Sequence, residues 1–113
     1  MIKKYFKDIS EEVVTKANST KTTVRWLITK EDGAKGFATR RFEIQPGGQI
    51  GLHSHPEDHH LFVLEGECSA LNENDEKISL KMGDVIYIPP NELHGFENNN
   101  SAPFVFLCII PYL

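Results

Sequence analysis

The sequence predicts an all-β protein, a barrel or double-sheet jelly roll, on three observations. No segment of the 113 residues keeps a helical period over three turns. Short runs rich in β-branched and aromatic residues recur, with Gly and Pro turns about every eight to twelve residues. A balance of 40% hydrophobic and 25% charged residues is ordinary for a globular domain. The length suits one domain, with about two-thirds of the unfolded surface buried on folding. No internal repeat or linker divides the chain, so residues 1–113 read as a single domain.

The elements follow in order. Residues 1–20 are polar with scattered apolar positions, and Asp8 to Val14 has the makings of one helical turn. Thr23 to Thr29 reads as a strand, and Glu31 to Gly36 as a turn. Phe37 to Ile44 alternates imperfectly, and Gln45-Pro46-Gly47-Gly48 is expected to break the chain. Ile50 to His55 reads as a short strand ended by Pro56, and His59 to Glu65 as a strand ended by Gly66. Glu67 to Leu71 continues after a bend, Asn72 to Glu76 is a hairpin turn, and Lys77 to Lys81 returns. Val85 to Ile88 is stopped by Pro89-Pro90; Asn98 to Ser101 is a loop; Phe104 to Ile110 is a continuous apolar strand. Trp26, Phe37, Phe42, Phe62 and Phe96 are expected in the core.

Composition excludes some classes of function. A net charge of -4, with no basic run longer than Lys3-Lys4 or Arg40-Arg41, argues against nucleic-acid and anionic-membrane partners. No apolar run approaches the ~20 residues of a membrane span. The charged start, Met1 to Asp8, lacks a leader pattern, so a cytoplasmic location is expected. Asn18-Ser19-Thr20 and Asn99-Asn100-Ser101 are then chance matches to a glycosylation pattern. Cys68 and Cys108 lie in no paired motif and are expected as free thiols.

The chemistry concentrates in histidine. Four of the five histidines, His53, His55, His59 and His60, fall within one short stretch, and His94 lies downstream. Imidazole is the commonest side-chain metal ligand, suited to Zn, Fe, Ni and Cu. His53 and His55, two apart, share a strand face, and the chain returns after Pro56 so that His59 can approach from the neighbouring strand. By the same alternation His59, Leu61 and Val63 face inward and His60, Phe62 and Leu64 outward. His60 is expected to pack or to meet a partner. Glu57 and Asp58 read as a solvated turn, or as an acid/base or hydrogen-bond partner of an imidazole. Arg40, Phe106 and Cys108 are candidates for the pocket wall. Phe106 and Cys108 share parity on an apolar strand, and Arg40 suits a substrate carboxylate.

The motifs carry a resemblance. Gly47, His53-Ser54-His55, position 59 and Gly66, at their spacings, resemble the first cupin motif; Gly83, Pro89, Asn91, His94 and Asn98 resemble the second. The resemblance covers about Phe37 to Ile110 and departs in two places. His59 stands where the family usually has Glu, and Asn91 where Gly is usual; Asn tolerates the left-handed backbone that such a turn needs.

This resemblance implies a double-stranded β-helix, or jelly-roll, barrel. It implies a ligand set of His53, His55, His59 and His94, similar to that of four-histidine single-domain cupins, some of which hold manganese. One divalent transition metal per chain is expected, manganese or iron first, with zinc, nickel and copper as alternatives. Four neutral imidazoles leave the ion's charge uncompensated, so an anionic or enolate-like small molecule is the expected partner. A homodimer is also implied, and Ile2, Tyr5, Phe6 and Ile9 suit docking on a second copy or on the chain's own barrel. The leading expectation is an oxidoreductase of dioxygenase type. A non-redox isomerase or lyase acting on a small sugar or carboxylate, with Glu57 or Tyr87 as acid/base, is the second. A non-catalytic binding module is the third.

Overall fold

The structure is a computed structural model that describes residues 1–74 and 76–113. The expected turn over residues 72–76 therefore includes one residue, Asp75, outside the described set. Among the described residues, nine strands form an antiparallel, curled sheet: β1 (Glu12–Val13), β2 (Thr20–Ile28), β3 (Phe37–His53), β4 (His59–Glu65), β5 (Glu67–Asn72), β6 (Lys77–Lys81), β7 (Val85–Ile88), β8 (His94–Glu97) and β9 (Phe104–Pro111). The order is β6-β5-β8-β3-β9-β4-β7, with β2 also on β3 and β1 on β2. This is the jelly-roll arrangement that the alternating strand pattern predicts.

Two bends turn the strands into opposed faces. The first lies at Gln45–Gly48, where the sequence suggested a break. β3 runs through it, pairing with β9 over Phe37 to Ile44 and with β8 over Gln49 to His53. Asn98 holds the bend. Its backbone carbonyl accepts from Gly47 N (2.8 Å) and its N donates to Gly48 O (3.0 Å). Its fully buried side chain donates to the carbonyls of Ile44 and Ala102, both at 2.9 Å. The second bend is Gly66, between β4 and β5. Its φ is 79°, and a side chain there would strike the carbonyl of Pro103.

Period-two alternation decides what is buried. On β4, His59, Leu61 and Val63 are buried while His60 and Phe62 are exposed, as the parity predicts. Ile44, Val63 and Phe104 are fully enclosed, and Phe42 stacks on Phe106 with ring centroids 5.0 Å apart. Phe42 and Phe96 are core residues as expected, but Trp26, Phe37 and Phe62 are not. Phe37 and Phe62 fall in the outward phase of their strands. Trp26 lies opposite Arg40 in the ladder, beyond the packed interior, and carries the Arg40 guanidinium over its ring at 5.1 Å.

Other boundaries differ from the sequence reading. Phe6–Asp8 is a 3-10 turn and Glu12–Val13 pairs as a short strand, so no helical turn covers Asp8 to Val14. The strand read as ending at His55 ends at His53. β8 was not expected: four residues that include a glycine carry too little pattern. The N-terminal segment docks on its own barrel, where Phe6 lies beneath the Arg41 guanidinium at 4.2 Å. Ile2 and Tyr5 remain exposed. No described helix is long and apolar enough to cross a membrane.

Candidate metal centre

Three segments bring the histidines together. His53 closes β3 and His94 opens β8; the two are ladder partners with ring centroids 4.3 Å apart. Asn91, with φ 65°, turns the chain into β8 as the left-handed tolerance of Asn allows, and its N donates to the His55 carbonyl at 2.8 Å. His55 follows two residues after His53, with its ring 5.1 Å from that of His94. His59 opens β4 facing inward, its ring 4.9 Å from those of His55 and His94.

Among the described residues, the ligating nitrogens of His53, His55 and His94 all lie within 4.8 Å of one another. His59 is not in that set. Its Nε2 lies 3.2 Å from Nε2 of His94 and its Nδ1 3.1 Å from Cys108 Sγ. Thus the structure brings three of the four expected ligands to mutual ligating distance and sets the fourth against one of them.

The donor set fits a cation. Nδ1 of His53, His55 and His94 donates to the carbonyls of Gly51, Glu57 and Glu92, each at 2.8 Å. A proton fixed on Nδ1 leaves Nε2 as a free lone pair. The rings of His53, His59 and His94 also resist protonation. Burial, reinforced by charge on His94, His55, Arg40 and His53, pushes His59 down to about 3. Burial brings His94 to about 4 against the opposing Glu92 carbonyl, and burial likewise lowers His53. Neutral imidazoles with free lone pairs are the form in which histidine binds a metal.

The cluster lines a cavity of about 500 Å³. Phe42, Phe96, Phe106, Ile50 and Ile110 make its walls apolar, and Val14, Lys16, Ala17 and Ser19 lie across it as a strap. At the strap's crossing, a side chain on Gly51 would strike the carbonyl of Ala17. Phe106 and Cys108 are buried and line the cavity, and Arg40 lines it with them. The Arg40 guanidinium lies 4.9 Å over Phe42 and donates to Cys108 Sγ at 3.0 Å, while its buried Nε has no partner among the described residues. Glu57 reaches the cavity, with Oε2 3.3 Å from His55 Nδ1. Tyr87 does not serve the site. It is exposed on the outer face, edge-on to His60, and donates to Asp58 at 3.0 Å. Sequence reasoning missed the strap, since nothing in residues 14–19 marks a cavity wall. It also gave Phe42 and Phe96 only a core role; Phe42, in phase with Arg40 on an expected strand, could have been placed at the site by parity, whereas Phe96 lies on the unexpected β8.

A family model described as a cupin domain, Cupin_2, matches residues 40–110. The chain belongs to the cupin family. Among characterised relatives, this cupin is 32% identical over 88 residues to an oxalate-binding protein from Thermotoga maritima, covering 74% of this chain and 70% of that one. A gentisate 1,2 dioxygenase from Aquipseudomonas alcaligenes is 23% identical over 108 residues, which span 89% of this cupin but only 31% of the dioxygenase. Among solved structures, the polyketide cyclase RemF from Streptomyces resistomycificus superposes with a TM-score of 0.93 at 31% identity, covering 98% of this cupin and 79% of RemF.

Proposed function

We propose that this cupin is a metal-dependent enzyme that oxidises a small molecule bearing an anionic or enolate oxygen. The observation that carries the reading is the convergence of imidazoles from three segments on an apolar cavity walled in part by Arg40. His53, His55 and His94 would hold a divalent ion with His59 as fourth ligand, manganese or iron being the proposed metal. Bound there, such an ion supplies Lewis acidity and a redox route between substrate and dioxygen. The chain's own residues do the rest. The imidazoles bring no negative charge, so the site favours an anion, and the Arg40 guanidinium adds to that preference. The stacked Phe42 and Phe106, with Phe96, exclude water and offer flat surfaces to a conjugated substrate.

Among the described residues, Glu57 is the one carboxylate lining this cavity, and it is engaged with His55. Oxidation by dioxygen asks for no separate base, which favours it over proton-shuttling chemistry. The likeness to RemF favours a second reading, in which a carbonyl is polarised without redox change and Glu57 moves the proton. The test is turnover and oxygen uptake with Mn-, Fe- and Zn-loaded protein on a panel of catechols, enediols, 1,3-diketones and hydroxy acids. Oxygen uptake with Mn or Fe and none with Zn supports the oxidase reading. Turnover with Zn in the absence of oxygen overturns it in favour of the second. Two copies are proposed to associate, supported by the outward apolar side chains of Phe62, Val85, Tyr87 and Ile109. Elution at monomer mass would contradict this.

A further inference from the structure

Three of the four cavity histidines share one kind of anchor, and His59 does not. The rings of His53, His55 and His94 each give the Nδ1 proton to a main-chain carbonyl. A carbonyl oxygen only accepts, so it locks the tautomer. His59 Nδ1 instead faces the sulfur of Cys108, and a thiol can both donate and accept. Cys108 is itself held. It is buried, it lies directly across the β3–β9 ladder from Arg40, and it accepts a hydrogen bond from the Arg40 guanidinium.

The lone pair on His94 Nε2 decides the tautomer of His59. The two Nε2 atoms are 3.2 Å apart, and His94 has its proton on Nδ1. Two lone pairs do not face each other at hydrogen-bond distance, so the neutral His59 ring carries its proton on Nε2 and donates it to His94. His59 Nδ1 is then free to accept the S–H of Cys108. Arg40, Cys108, His59 and His94 form one chain in which each donor meets one acceptor.

We propose that Cys108, fixed by Arg40, is a positioning residue that lets His59 exchange tautomers, making His59 the switchable member of the metal set. This rests on the metal reading of the site. Without metal, His59 Nε2–H closes against His94. To offer Nε2 as a ligand, the ring loses that proton to water and gains one from water at Nδ1. Its charge is unchanged and no net proton is released. The Cys108 sulfur turns from donor to acceptor as its hydrogen rotates away.

Ring-nitrogen ¹H–¹⁵N correlation spectra of metal-free protein near neutral pH read the tautomers directly. The expected result is Nδ1–H on His53, His55 and His94, and Nε2–H on a ring that disappears in His59→Asn. The exposed His60 is identified by its loss in His60→Gln. Zinc is expected to convert the His59 ring to Nδ1–H. Cys108→Ala should weaken zinc binding about 10–100-fold, and Cys108→Ser, which keeps a donor and an acceptor, should stay within about threefold of wild type. Nδ1–H on His59 in a metal-free chain that binds zinc overturns this proposal alone. So does Cys108→Ala that folds and binds zinc as tightly as wild type. A wild-type chain that binds no zinc yet shows Nε2–H on His59 overturns the metal reading and leaves the hydrogen-bond assignment standing.

Discussion

The rim of the cavity and its inner wall use the same side chain in different ways. At the rim, His53 and His55 are half-buried, and each is anchored by a carbonyl two residues away. In the wall, His59 is buried and anchored by Cys108, which is 49 residues distant in sequence and tied to Arg40, a further long-range partner. His94 belongs to both, with a local carbonyl anchor and a buried ring. A rim histidine is oriented by local backbone; a wall histidine is oriented only once the barrel has closed. Damage to the barrel should therefore reach His59 first, while rim substitutions should stay local.

Predictions that break or sharpen this contrast run from large to small. Phe106→Ala empties the wall behind the cluster and should cost about 3–5 kcal/mol in urea unfolding, the range for buried aromatic truncations. A value below about 1 kcal/mol would deny that Phe106 is packed in the wall. His94→Ala removes the ligand common to both regions. It should weaken metal binding more than about 100-fold by calorimetry, beyond the usual cost of losing only an outer hydrogen-bond partner.

Acid should act mainly on the wall. His59 and His94 titrate at about 3 and about 4 in the fold, against 6.5 when unfolded. Below 6.5 the unfolded chain takes up protons that the folded chain refuses, so stability of the metal-free protein is lost as pH falls from 6.5 toward 4. Above 6.5 these groups add no pH dependence. The melting temperature should drop by about 5 °C or more across that window, and His59→Asn should flatten the slope. Smallest is Glu57→Gln at the rim. His55 keeps its bond to the Glu57 main-chain carbonyl, so stability should change by less than about 0.5 kcal/mol in urea unfolding.

Much of the fold was legible because period-two patterning is a local signal. β4, β6 and β7 have the bounds read from sequence, and β4 buries the predicted face. What escaped depends on distant partners. β8 is too short to show alternation and exists because β3 and β5 flank it. β3 continues through Pro46-Gly47-Gly48 because Asn98 supplies the missing bonds from across the barrel. At the site, the grouping of His53, His55 and His94 was legible from the motif spacing, and the shared parity of Phe106 and Cys108 from the apolar run of β9. That Cys108 anchors His59 was not, since register between β4 and β9 is set only by closure.

The claim that the cluster holds a metal is tested most directly by elemental analysis of untagged protein after reconstitution, beside His59→Ala. The account predicts about one manganese or iron ion per chain in the wild type and clearly less in the variant. A wild-type chain that takes up no metal would contradict it and leave a small binding barrel lined with histidines.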